Sequence, residues 1–151
     1  MKHKKMFIGM VGTLALTVSI TAQAAKPEDA IKYRRGVMAA QGWNFRAMGE
    51  VVKGEAPYDK AEFVLRATNL AALSKMTLEG FLVEGADQGE TKAKPEAFAE
   101  MDKVKAGMNK LGIESAKLSQ VAAAGDLGAI KAQFNEVSKI CKDCHDNYRV
   151  R

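Results

Sequence analysis

Five residues near the C-terminal end, Cys141-Lys142-Asp143-Cys144-His145, constrain this 151-residue chain more than any other stretch. Residues three apart share one face of a helix, so a helical turn aims both thiols the same way and carries the imidazole directly after them. Four chemistries use a Cys-x-x-Cys pair, and counting separates them. A structural zinc site takes about four protein ligands. The chain has two cysteines and two histidines, and His3 falls in a segment expected to be removed, which leaves three candidates. A thioredoxin-like dithiol belongs to a βαβ fold, for which residues 146–151 leave no room. A disulfide across so short a loop gains little from closure and gives the adjacent histidine no purpose. The spacing C-x-x-C-H is that of covalent c-type haem attachment. The thiols add to the two vinyl groups along one porphyrin edge, and the histidine offers an axial nitrogen to the iron.

The opposite end fits that reading. Lys2, Lys4 and Lys5 precede a largely apolar run over residues 6–20, and Ala22-Gln23-Ala24 has the small-x-small pattern of a secretory cleavage site. The run is shorter than the about 20 apolar residues of a membrane span. Residues 1–24 are therefore expected to be a cleaved signal peptide, leaving no membrane anchor and a periplasmic mature chain over 25–151. Export suits c-type haem, which bacteria attach on the outer side of the cytoplasmic membrane. This length supports one domain with one core. Without the three lysines of 1–24, the formal charge falls from +5 to the +2 of 20 basic against 18 acidic residues. The two signs are interleaved with no basic run, so no nucleic-acid partner is expected.

Between the two ends the pattern is helical. Ala, Lys, Glu, Leu and Met are plentiful. Pro27, Pro57 and Pro95 each open an apolar-periodic segment and are followed by acidic residues, where a missing amide costs nothing and the acid complements a helix N-terminus. Gly125-Asp126 supplies a stop and a cap. The spacing predicts a first helix over 28–52, with Ile31, Val37, Met38, Phe45, Met48 and Val52 on its apolar face. A second is predicted over 59–76, with Phe63, Val64, Ala67, Leu70 and Ala71 inward. Residues 79–94 read as the one long connection. A third helix is expected over 95–124, with Gly112 as its weak point. The fourth, over 126–149, sets Ile130, Phe134, Val137, Cys141, Cys144 and Tyr148 on one stripe, so the cysteines continue its core face. The fold class that follows is all-α, an antiparallel four-helix bundle with a covalently bound haem near the C-terminal helix.

Three stretches carry a family pattern: Lys26-Pro27-Glu28-Asp29-Ala30-Ile31-Lys32-Tyr33-Arg34, Gly54-Glu55-Ala56-Pro57-Tyr58-Asp59, and Cys141-Lys142-Asp143-Cys144-His145-Asp146-Asn147-Tyr148-Arg149. In these the chain resembles cytochrome c′, of the class II c-type cytochromes. That family is itself a known representative of the four-helix bundle, so the fold is not an independent expectation. The resemblance implies one haem c in a periplasmic protein, often a homodimer through its first two helices. It implies five-coordinate iron, with a histidine on one side and an apolar residue blocking the other, and binding of nitric oxide and carbon monoxide. Nitric oxide buffering and electron transfer to redox protein partners are the implied roles. The proximal ligand maps to His145, and a basic residue near the proximal face maps to Arg149, one helical turn on. The distal position maps to Met38, for which three readings stay open: an apolar lid, a sixth ligand through sulfur, or a gap-filling core methionine. Arg34 or Arg35 can pair with a haem propionate through a guanidinium fork, or stand as a solvated surface arginine. Phe81 aligns loosely with an aromatic beside the haem and reads equally well as core. Trp43 and Tyr58 read as structural, with Trp43 a candidate dimer contact.

Three functions compete on these residues. One is a gas-binding, five-coordinate haem protein; another is a low-spin electron carrier with Met38 bound. The third, an enzyme such as a peroxidase, calls for a polar distal acid–base residue, and residues 25–151 contain no second histidine. An enzyme is not expected.

Overall fold

The computed structural model describes residues 25–151, and the expected signal segment lies outside the described residues. Five helices follow in order: α1 (Pro27–Lys53), α2 (Lys60–Met76), α3 (Glu96–Ala99), α4 (Met101–Ala124) and α5 (Leu127–Tyr148), with a 3₁₀ turn at Glu79–Phe81. The ends fall where local chemistry puts them. Pro27 opens α1, and Gly54 closes it in the left-handed region at φ 80°, its N–H reaching back to the last-turn carbonyls. Asp59 accepts the Glu62 amide at 2.9 Å to begin α2. Asp126 accepts the Gly128 and Ala129 amides to begin α5. Such caps are worth about 1 kcal/mol each.

α1, α2, α4 and α5 form the bundle, and cross-helix contacts show each neighbour running antiparallel. Between α1 and α2, Gln41 donates to Thr77 and Asn69 to Asn44. Lys60 reaches Ala124 O while Thr68 meets Ser119, which aligns α2 against α4. Gln133 donates to Glu114 between α5 and α4. Met48, Phe63, Ala67, Leu70, Leu118, Ile130 and Val137 make the buried core between them. α1 and α5 meet at a stacked pair, Phe45 and Phe134, with ring centroids 4.2 Å apart.

The third expected helix is two. It breaks at Glu100, whose φ of −106° and ψ of 40° leave the helical region, while Gly112 sits inside an unbroken α4. The break coincides with a tertiary tie, the Tyr148 hydroxyl donating to Glu100 Oε2 at 2.7 Å, which local periodicity does not register. The 3₁₀ turn and the connection that follows it, over 79–95, are wrapped closely on the first half of α1. A Cβ on Gly80 would lie 2.7 Å from Arg34 Cβ and 2.8 Å from Ala30 O, so only glycine permits the approach. Gly85, at φ +79°, lies against Pro27. No helix among the described residues is long and apolar enough to cross a membrane.

Candidate haem site

The three motif side chains stand on the last turns of α5, beyond its buried stripe (Ile130, Phe134, Val137 and Ile140), with Cys141 and Cys144 half-buried and His145 exposed. Cys141 and Cys144 pack against the edge of the core cluster, and both are free thiols. Burial, with the neighbouring Cys144, pushes the Cys141 thiol up to about 11. Burial also raises Cys144. The His145 surface is accessible, yet the protein packed around it and the Arg149 guanidinium lower its pKa, with Asp146 opposing. The imidazole is then neutral near pH 7, with a nitrogen lone pair free for a metal.

Cys144 opens on a groove of about 200 Å³ between α4 and α5, lined also by Val104, Gly107, Ile140 and Tyr148, with Lys103 and Lys110 at its sides. A Cβ added at Gly107 would meet nothing within 4 Å, so the wall is open at that point. Among the described residues no three His, Cys, Asp or Glu side chains converge as ligands for a bare metal ion. Two thiols and one neutral imidazole on a single helix edge instead fit a group that brings its own equatorial nitrogens, a porphyrin. The residues present fit a haem c.

The register brings Met38 to the same end. From the Phe45–Phe134 stack, antiparallel helices rising 1.5 Å per residue carry Met38 on α1 and Cys141 on α5 to the same level, about 10 Å away. Met38 is half-buried against the core cluster. By the same register, Arg34 stands level with His145.

Arg34 is no solvated arginine. It is 2% exposed, and its guanidinium donates to Gly80 O at 2.8 Å, Ala86 O at 3.1 Å and Thr91 Oγ1 at 2.8 Å. It also lies 4.5 Å from the Phe81 ring centroid and 5.3 Å from that of Phe98. No carboxylate among the described residues pairs with it, and burial lowers its pKa. Arg35, by contrast, is exposed and pairs with Glu90 at 3.4 Å. Phe81 is buried in the core cluster, between Arg34 and Phe98. Arg149 forms the C-cap of α5 in extended backbone, and its amide closes on His145 O. Trp43 is 66% exposed, not core, and the Arg66 guanidinium lies over its ring at 5.8 Å from the centroid. Tyr58 packs half-buried beside Phe63.

Sequence reasoning missed the supports of the α5 terminus. Lys94 Nζ donates to Asp146 O and Asn147 O, and Glu100 accepts from Tyr148. A lysine before a proline reads locally as surface; its partners lie 52 and 53 residues away.

The family profile described as Cytochrome C' matches residues 29–149. The curated Cytochrome c' of Alcaligenes xylosoxydans xylosoxydans is 39% identical over 129 residues, covering 85% of this chain and 99% of the relative. The structure of cytochrome c prime from Shewanella frigidimarina matches with a TM-score of 0.81 and 36% identity, over 85% of this chain and 100% of its own. A nitric oxide complex of a mutant cytochrome c prime from Alcaligenes xylosoxidans matches at TM-score 0.77 and 37% identity, over 85% of this chain and 99% of its own.

Proposed function

This chain belongs to the cytochrome c′ family, whose members carry one covalently attached c-type haem, and from that premise we propose that thioethers at Cys141 and Cys144 hold the haem and His145 is its axial protein ligand. Bound there, a haem c supplies an iron that takes up nitric oxide and carbon monoxide. The observation that carries this reading is the alignment of two thiols and a neutral imidazole on the last turns of α5, beside a groove whose α4 wall is opened by Gly107. Nitric oxide handling is the favoured role, supported by the relative solved as a nitric oxide complex; electron transfer to a redox protein accompanies it.

The chain's own residues then divide the work. His145 would give the protein's ligand to the iron, with burial first and the Arg149 charge second lowering its pKa. Met38, from the facing helix, acts as an apolar lid that restricts access to the distal side without binding iron. Arg34 brings a buried cation lacking a carboxylate partner, with Nε–H and one Nη1 hydrogen uncommitted, and a haem propionate is the counter-charge it can accept. Arg35 stands one position on and exposed, as the outer propionate candidate. Phe81 holds the Arg34 guanidinium in place through its ring face. Residues 1–24 direct export, the mature protein works in the periplasm, and it pairs as a homodimer through the outer faces of α1 and α2, where Trp43 and Leu65 are exposed.

Acid denaturation followed by solvent extraction tests the attachment. The mature protein keeps its colour and weighs one haem more than residues 25–151. Cys141→Ala leaves one thioether, and replacing both cysteines leaves none. A colourless chain of unmodified mass after extraction of the native protein contradicts the reading.

A further inference from the structure

The last turn of a helix leaves its carbonyls without intrahelical partners. In α5 one residue supplies three of the missing donors. Lys94 N donates to Tyr148 O at 2.8 Å, and Lys94 Nζ donates to Asp146 O at 3.2 Å and Asn147 O at 3.1 Å. The ammonium also places positive charge at the negative end of the helix dipole. Two residues earlier, Lys92 O accepts the Val150 amide at 2.8 Å, completing an antiparallel bridge between Ala93 and Arg149. All these bonds lie within five residues of His145.

The same short segment is fastened at its other end to α1. Thr91 Oγ1 accepts from the buried Arg34 guanidinium at 2.8 Å and from the Ala93 amide at 3.1 Å. One hydroxyl thus orients the turn that leads into Lys94 and ties it to a side chain one helical turn before Met38. Arg34 is fixed in turn by Gly80 O, Ala86 O and the Phe81 ring.

We propose that residues 91–94 are a positioning strap, Thr91 gripping α1 and Lys94 gripping the end of α5, which sets the placement of His145 relative to the Met38 face of α1. The inference rests on the reading of His145 as the iron ligand. Thr91 and Lys94 touch neither iron nor gas; they act through the helix terminus. Slack in the strap would let the last turn of α5 fray, so His145 would present its imidazole over a wider range of positions and would hold a haem iron less firmly.

The test uses the haem-loaded protein with Thr91→Val, which keeps shape and removes the acceptor, Thr91→Ser, which keeps the acceptor, and Lys94→Met, which keeps the stem and removes the ammonium. The readouts are the iron–histidine stretching band of the ferrous protein by resonance Raman and the ratio of five- to six-coordinate nitrosyl. Thr91→Val and Lys94→Met displace and broaden the band in the same direction and shift the nitrosyl ratio; Thr91→Ser matches wild type. Variants that lose thermal stability but keep the wild-type band and ratio overturn the strap. A wild-type protein with no iron–histidine band at all overturns the five-coordinate His145 reading on which the strap rests, which separates the two failures. If a variant does not fold, amide exchange on the wild type decides: the Lys94 and Val150 amides are protected together under the proposal, and exchange as free loop amides without it.

Discussion

At the residue scale, Met38 carries the sharpest consequence. It comes from α1 at the level of Cys141, half-buried against the core, and is assigned here as a lid. Met38→Ala then speeds carbon monoxide and nitric oxide association in stopped-flow measurements and leaves the resting spin state as it was. Stability falls by about 2 kcal/mol, the low end for a methionine truncated to alanine, because the side chain is not fully buried. A resting protein converted from low to high spin by the same change identifies sulfur as a ligand. The helix face of Met38 was legible from spacing, since 3.6-residue periodicity fixes which side of α1 it occupies. The fate of Arg34 was not. Charge argues for solvent, and only the carbonyls of Gly80 and Ala86 with the Thr91 hydroxyl, 46 to 57 residues away, make its burial tolerable.

At the scale of elements, the start of α5 is set by its own sequence, through the Asp126 cap, and its end by residues far away. This is why the first was legible and the second was not. The bond from Tyr148 to Glu100 makes the end of α5 sensitive to pH. Its acceptance raises the Tyr148 phenol to about 12, while Tyr148 and Lys103 hold the Glu100 carboxyl below its usual range. A raised phenol pKa contributes stability that is complete below its ordinary value of about 10 and is lost as pH climbs through the raised one. The lowered carboxyl contributes above its ordinary value of about 4.3, and that part is lost as pH falls through the depressed one. The tie is therefore intact across neutral pH. Tyrosinate absorbance is expected to show the Tyr148 phenol ionising near 12, a step that Tyr148→Phe removes; a wild-type titration that Tyr148→Phe leaves unchanged at high pH would refute the tie. The close approach of the 3₁₀ turn Glu79–Phe81 to α1 has its own test. Gly80→Ala forces a Cβ to 2.7 Å from Arg34 Cβ and 2.8 Å from Ala30 O, an overpacking cost of about 1–3 kcal/mol. A clear fall in Tm follows, whereas Gly36→Ala, where a Cβ meets nothing, has no such penalty. Equal effects at the two glycines would contradict the close packing.

At the scale of the whole molecule, the bundle brings both sides of the candidate site to one end: the first half of α1, the start of α4, the end of α5 and the connection that straps them. The four apolar stripes, with the Asp59 and Asp126 caps of α2 and α5, were enough to read that architecture, because each long helix states its own face. The break at Glu100 and the strap of residues 91–94 escaped notice, since both exist only through contacts with α5. The outer face of α1 and α2 exposes Trp43 at 66% and Leu65 at 58%, apolar surface suited to the homodimer proposed above. Trp43→Asp is expected to shift sedimentation to the monomer while the haem spectrum stays unchanged; an unaltered dimer would move the interface elsewhere. The central claim, a five-coordinate haem on Cys141, Cys144 and His145 with Met38 as lid, is tested most directly by one optical spectrum. The reduced protein is recorded before and after carbon monoxide is added. The account predicts a high-spin reduced spectrum that converts to a low-spin carbonyl form, whereas a low-spin reduced spectrum unmoved by carbon monoxide would contradict it.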